Sequence, residues 1–160
     1  MLRKVLFLDV DGVLNTSGKY FNKDLNPECL RELQRVITST GADIIVSSQW
    51  RCHNYLMVFL NELIEGMGGK IVGKTQQIGL YQRIGEIENY LEYVQTPFRY
   101  AVIDDERKYF FEGDEKEILA STFDLHDHLV IVEDKTKGLT AAEANKLIDI
   151  LNNGGVWNEC

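Results

Sequence analysis

Three short stretches of this sequence carry residues that could do chemistry. Asp9-Val10-Asp11-Gly12 follows the apolar run Val5 to Leu8, Ser47-Ser48 follows Ile44 to Val46, and Asp104-Asp105 follows Ala101 to Ile103. Each set of polar side chains stands directly behind a strand-like run. In parallel α/β sheets ligands bind at the carboxyl ends of the strands, so three such ends are expected to converge. Two acidic pairs brought together repel strongly unless a cation lies between them. A hard, oxygen-only donor set favours magnesium, and with no histidine or cysteine at these ends zinc is a poor fit. A calcium loop is the competing reading of Asp-x-Asp-Gly, but that loop needs a glutamate at its twelfth position, where Tyr20 stands.

The elements that must position these residues follow from the apolar pattern. Five short runs, the three above with Ile71-Val72 and Leu129 to Val132, alternate with amphipathic stretches. That is the pattern of an α/β domain with a mostly parallel, five-stranded, Rossmann-like sheet flanked by helices. Continuous rather than alternating apolarity predicts strands buried on both faces. Asn26-Pro27 reads as an N-cap with proline at the first helical position, followed by Leu30, Leu33 and Ile37. Stripes at helical spacing also run through Leu56, Phe59, Leu60, Leu63, Ile64 and Met67, and through Ile84, Ile87, Leu91 and Val94. A capping box, Thr140 to Glu143, announces the last helix with Ala144, Leu147, Ile148 and Leu151. One domain is expected over residues 1–152, with a flexible tail over 153–160.

Composition narrows the function classes. A length of 160 residues with 44% hydrophobic content suits one well-packed domain. No apolar stretch reaches the roughly 18 residues of a membrane span, and the run behind Met1-Leu2-Arg3-Lys4 is shorter than a signal peptide requires. A soluble, cytoplasmic protein with no membrane partner and no obligate protein partner is expected. Cys29, Cys52 and Cys160 are far apart and form no CxxC pair, so reduced thiols are expected. A net charge of −8 argues against broad nucleic-acid binding, although a local basic rim could engage a phosphate chain.

With these residues in place, Asp9-Val10-Asp11-Gly12-Val13-Leu14 resembles the first motif of the haloacid dehalogenase (HAD) superfamily, mostly phosphatases. Ser47 and the Asp104-Asp105 pair follow in the order that superfamily uses. Leu14-Asn15, Ser47-Ser48-Gln49-Trp50-Arg51, the arginine-led helix at Arg83 and Gly138-Leu139-Thr140 further resemble the HAD domains of Swiss Army Knife RNA-repair proteins. The resemblance implies that Asp9 attacks phosphorus and that Asp11 protonates the leaving alcohol and then deprotonates the hydrolytic water. It implies magnesium held by Asp9, the backbone carbonyl of Asp11, and Asp104 or Asp105. Ser47, ahead of Ser48, would hydrogen-bond a phosphoryl oxygen. Arg83, with Lys74 as the alternative, would neutralise the transferring group.

Substrate class is bounded by what the gaps can hold. HAD enzymes usually insert a cap after the first motif or between the second and third. Here 35 residues separate Asp11 from Ser47 and 56 separate Ser47 from Asp104, and both stretches are already used by helices and strands. A minimal or absent cap leaves a site open to a phosphate at the end of an RNA or DNA. Trp50 and Arg51 either pack or form a rim that holds a base and a backbone phosphate. A nucleotidase or other small-molecule phosphatase, and a HAD-like binding protein without turnover, are the alternatives. His126-Asp127-His128 precedes the last strand, away from any strand end, and is read as non-functional.

Overall fold

The computed structural model describes residues 2–79, 82–94, 96–112, 117–118 and 125–157. Its centre is a five-stranded parallel sheet in the order β3-β2-β1-β4-β7, built from β1 (Arg3–Leu8), β2 (Asp43–Val46), β3 (Ile71–Lys74), β4 (Phe98–Asp104) and β7 (Leu129–Ile131). The crossovers are α1 (Pro27–Thr40), α2 (Asn54–Gly66) and α3 (Arg83–Tyr93), and α4 (Ala141–Asn153) closes the chain. This is the expected α/β Rossmann-like arrangement.

Side chains alternate across the sheet into two cores. Leu6, Leu8, Ile44, Val46, Ala101 and Ile103 pack with the apolar stripes of α1, α2 and α4 on one face. Val5, Phe7, Ile45, Tyr100 and Val102 pack with Ile84, Ile87 and Leu91 of α3 on the other. The split follows from right-handed crossovers: β1 to β3 advance in one direction with their helices on one face, and the return to β4 puts α3 on the opposite face. Both faces of every central strand are therefore dry, which is why the runs read as unbroken apolar stretches.

The helix boundaries rest on local chemistry. Asn26 caps α1, its side chain accepting from the Glu28 N–H at 2.9 Å. Glu143 accepts from the Thr140 N–H at 2.9 Å and also from the Thr140 hydroxyl, completing the capping box of α4. Helix α4 ends at Asn153, one residue into the expected tail, and Trp157 exchanges backbone hydrogen bonds with Phe98 on β4 at 2.7 and 3.3 Å. The tail is thus tied to the sheet at Trp157, while 158–160 lie outside the described residues. Cys29 is buried and Cys52 exposed, and neither is in a disulfide. No helix among the described residues is long and apolar enough to cross a membrane.

One departure from the sequence pattern lies between β4 and β7. A two-stranded antiparallel sheet, β5 (Phe111–Glu112) and β6 (Glu117–Ile118), occupies part of that connection. Strands of two residues are too short to show any alternation. The His126-Asp127-His128 cluster falls in a 3-10 turn ahead of β7, and His128 is buried, stacked on Tyr100 at 3.9 Å with Nδ1 2.8 Å from the Tyr100 carbonyl oxygen. That histidine packs the core.

Gly138 shows how the distal chain braces the strand ends. Its φ is +64°, and a Cβ there would lie 2.5 Å from the Val13 carbonyl oxygen and 2.8 Å from Cys29 Sγ. Leu139 N–H donates to the same Val13 carbonyl at 2.8 Å, locking the turn behind Asp9 and Asp11. Gly138→Ala combines an unfavourable φ with overlap against backbone, and should destabilise the protein by about 2–4 kcal/mol. Urea unfolding measures this, and a change within roughly 0.5 kcal/mol, the range of a neutral surface substitution, would refute the brace.

Candidate active site

The sheet register delivers three functional side chains to one place. Leu8 pairs with Val46 on one side and Ile103 on the other, so the next residues, Asp9, Ser47 and Asp104, stand in a row across three strands. The ladder continues through them, with Asp9 N–H on the Ile103 carbonyl at 3.2 Å and Ser47 N–H on the Leu8 carbonyl at 3.0 Å. Because Leu8, Val46 and Ile103 face the α1 side, period-2 alternation turns all three polar side chains toward α3. Arg83 is the first residue of α3, and its Nη1 lies 3.2 Å from Asp104 Oδ2 and 3.7 Å from Asp9 Oδ1 and donates to the Ser47 carbonyl.

Asp105 completes the acidic group. Ligand atoms of Asp9, Asp104 and Asp105 all lie within 4.8 Å of one another. Gly12 makes the approach possible: its φ is +81°, and a Cβ there would sit 2.0 Å from Asp105 Oδ2. A side chain at position 12 is thus excluded by the Asp105 carboxylate. Lys135 Nζ stands 3.5 Å from Asp105 and 3.0 Å from Glu106 at the outer edge.

The electrostatics point to a missing positive charge. Burial and the neighbouring Asp104 push the Asp9 carboxyl well above the usual carboxylate range, against the opposing pull of Arg83. Burial likewise pushes Asp104 up to about 6, despite Arg83, with Asp105 adding to the rise. Asp104 Oδ2 is buried and accepts no well-aligned hydrogen bond, its contact being the ion pair with Arg83. An oxygen-only triad, buried at Asp9 and Asp104, that Arg83 and the peripheral Lys135 leave under-compensated fits a hard divalent cation, with Asp9, Asp104 and Asp105 as candidate holders.

Asp11 is held apart from this triad. The chain folds into a tight turn in which the N–H groups of Val13, Leu14 and Asn15 all point at the Val10 carbonyl, at 3.1, 2.8 and 3.0 Å. Asp11 Oδ1 accepts from Asn15 Nδ2 at 2.6 Å and from the Phe21 N–H at 3.3 Å, and Oδ2 accepts from Trp50 Nε1 at 3.1 Å. Asn15 also donates to the Lys19 carbonyl and accepts from Ser17, so one buried amide sets the shape of the loop that follows.

These side chains open on a cavity of about 240 Å³ lined by Asp9, Asp11, Ser48, Arg83, Asp105 and Tyr109, with Tyr20 and Phe21 at one side. Ser47 lies fully buried beneath the lining, and its hydroxyl has no partner. Ser48 reaches the cavity wall while its Oγ accepts from the Trp50 N–H at 3.1 Å, capping the 3-10 turn Gln49–Cys52. Lys74 is on β3 with Nζ 3.2 Å from the Arg51 carbonyl oxygen, outside the cavity lining. Of the two candidate cations, Arg83 is the one at the carboxylates.

The expected substrate-binding roles of Trp50 and Arg51 are corrected, and the alternative that the pair packs is the one observed. The rim of Trp50 and Arg51 does not exist, since Trp50 is 0% and Arg51 3% exposed. Trp50 tilts against Phe59 and spends its indole N–H on Asp11. Arg51 donates Nη1 to the Ser47 carbonyl at 2.7 Å and Nη2 to Glu86 Oε2 at 2.6 Å. Burial lowers the Arg51 pKa from its usual value, against the Glu86 charge that supports it. Sequence spacing located both residues beside the site but carried no information about direction within a 3-10 turn. Glu86, Asn15, Phe21 and Tyr109 were missed. Glu86 sits one turn beyond Arg83 on the buried stripe of α3, and an acid at such a position was a readable signal.

The class defined by this fold and site is a Rossmann-like domain with an acidic, arginine-supported centre at its strand ends, following the HAD pattern. The chain belongs to the family described as the HAD domain in Swiss Army Knife RNA repair proteins, whose model matches residues 5–144. No curated protein and no solved structure matches it. Membership supports a HAD-type phosphatase.

Removing Arg51 leaves the Glu86 carboxylate short of its closest charge partner in a dry environment. Arg51→Ala should therefore cost about 3–5 kcal/mol of stability in chemical denaturation. A surface rim residue would cost within about 0.5 kcal/mol, and that result would return Arg51 to the rim.

Proposed function

We propose that this protein is a magnesium-dependent phosphomonoester hydrolase that works through an aspartyl-phosphate on Asp9 and acts on the phosphorylated end of an RNA or DNA. The observation that carries the chemistry is the convergence of Asp9, Asp104 and Asp105 within 4.8 Å beside Arg83, with Asp9, Asp105 and Arg83 lining one cavity and Asp104 buried behind it. Magnesium held by Asp9, Asp104 and Asp105, with the Asp11 carbonyl that the family likeness adds, supplies the charge screening that lets a carboxylate approach a phosphate dianion.

Asp9 attacks phosphorus as the bond to the leaving oxygen breaks, and Asp11 gives that oxygen its proton. Water then attacks the phosphoryl group, Asp11 takes the water's proton, and the phosphorus–oxygen bond to Asp9 breaks to regenerate the carboxylate. Arg83 faces the charge spread over the transferring group; Ser48 is the hydroxyl residue at the cavity wall, and the unpartnered Ser47 hydroxyl lies buried behind it.

The polynucleotide assignment is supported by the family's description and by the absence of an inserted domain at either usual position among the described residues. Among the described residues, a loop lies between Asp11 and α1, and a 3-10 turn, α2, β3, α3 and the body of β4 lie between Ser47 and Asp104. An open site can take a phosphate at the end of a large molecule, whereas small-metabolite enzymes usually close over theirs.

Asp9→Asn should abolish phosphate release from 3′- or 5′-phosphorylated oligonucleotides while leaving the fold intact, and a chelator should do the same to the wild type. Substantial turnover in either case removes the mechanism, and faster cleavage of mononucleotides than of oligonucleotides would make the protein a nucleotidase. If the wild type binds phosphate esters without hydrolysing any, it is a binding protein.

Arg83→Ala should lower kcat by about 10²-fold or more, as loss of a preorganised electrostatic donor does. Lys74→Ala should change it little. Steady-state kinetics of the two variants checks the ranking, and the reverse order would move the role to Lys74.

A further inference from the structure

The leaving group needs a surface to rest on, and the geometry around Asp11 shows which. A carboxylate that protonates the leaving oxygen must have the leaving group beside it. The Phe21 N–H is bound to that carboxylate at 3.3 Å, so whatever departs lies close to Phe21. Phe21 has φ +60°, a left-handed conformation uncommon for a non-glycine residue and a marker of functional strain. Its ring meets the His53 ring edge-on, with centroids 4.7 Å apart, and His53 stands 5.9 Å from Tyr55. On the other side Tyr20 lies 6.3 Å from Phe21.

Four rings therefore form a row that runs from the cavity out over the head of α2. Tyr20 and Phe21 line the cavity, and Tyr20, Phe21 and Tyr55 are 80%, 37% and 58% exposed. Singly exposed aromatics need no explanation, but a contiguous row that begins at a catalytic cavity does. Lys23 places its ammonium 5.3 Å from the Tyr55 ring centroid, a positive charge at the far end of the row in a chain of net charge −8. The rings meet edge-on or tilted, so the row offers separate exposed aromatic faces rather than one plane, and an aromatic face followed by a cation matches a base followed by a backbone phosphate.

We propose that Tyr20, Phe21, His53 and Tyr55 form a stacking subsite for the unpaired terminal base of a single-stranded polynucleotide, with Lys23 meeting the next phosphate. This rests on the phosphatase reading of Asp9 and Asp11, because it places the leaving group at Asp11. The row replaces the Trp50 and Arg51 rim that burial excludes.

The test compares a single-stranded oligonucleotide bearing a terminal phosphate with the same molecule made abasic at the terminal residue. Hydrolysis is measured on the wild type, and affinity on Asp9→Asn. The wild type should favour the base-bearing end about tenfold or more in kcat/KM, and Asp9→Asn should show a similar ratio in Kd. Tyr55→Ala and His53→Ala should bring both ratios toward unity, with circular dichroism confirming the fold. Equal treatment of the two ends by the wild type, or equal loss on both ends in the variants, overturns the subsite. Nucleoside monophosphate binding as tight as the oligonucleotide overturns the polynucleotide occupant. Base-dependent binding without any hydrolysis would retain the subsite and remove the phosphatase reading, and hydrolysis without base dependence would do the reverse.

Discussion

The repulsion among Asp9, Asp104 and Asp105 is the constraint on which the site's architecture depends. Three carboxylates with ligand atoms inside 4.8 Å, two of them fully buried in the sheet's carboxyl edge, repel one another across a medium that screens poorly. Arg83 offsets one unit of that charge. Lys135 sits at the rim and divides itself between Asp105 and Glu106. The remaining deficit is of the size a divalent cation fills, and the upward displacement of Asp9 and Asp104 is how it shows in the protein alone. Such a cluster is costly to bury, and its donor set fits a hard divalent cation.

Keeping Arg83 in place is the second half of the same problem. A guanidinium at the head of a helix, nine-tenths buried, loses hydration, which by itself would lower its pKa; Asp104, Asp9 and Glu86 reverse that and raise it. Glu86 lies one turn on, with Oε1 3.9 Å from Arg83 Nε, and its other oxygen is taken by Arg51 and by the Ile78 N–H at 3.1 Å. Arg51 and Arg83 both donate to the Ser47 carbonyl. Two arginines thus clamp the peptide that carries Ser47, and one buried glutamate keeps them from repelling each other. The charged network extends the acidic triad into the α3 face, so the geometry of the centre depends on side chains that do not line the cavity.

Much of this was legible in the sequence because buried parallel strands leave a strong trace. Unbroken apolar runs located all five strands of the main sheet, and Asn26-Pro27 and the Thr140 to Glu143 box located two helix starts through chemistry that depends only on neighbours in the chain. The convergence of Asp9, Ser47 and Asp104 was legible for the same reason, since each follows a run whose register the sheet then fixes. Side-chain direction outside regular elements was not legible. Trp50 and Arg51 occupy a 3-10 turn, where a one-residue difference decides between solvent and core. Phe21 and Asn15 act through loop geometry set by hydrogen bonds that have no periodicity. The β5-β6 pair was invisible because two residues per strand carry no pattern.

The correction of Trp50 has a consequence for how recognition and catalysis are joined. A buried indole whose N–H holds Asp11 cannot also lie flat on a base, so under the proposed polynucleotide reading the base would rest on another surface. The nearest exposed aromatic surface is anchored on the same carboxylate, through the Phe21 N–H. Trp50 and Phe21 therefore pull on Asp11 from two elements, one rigid and buried behind β2, the other on a loop shaped by Asn15 and strained at Phe21. A group resting on Phe21 that shifted this loop would change the hydrogen bonds that position the Asp11 carboxylate. Under the proposed mechanism, contacts on the aromatic row bear on the same loop that positions Asp11, which gives remote binding a structural route to the reacting centre.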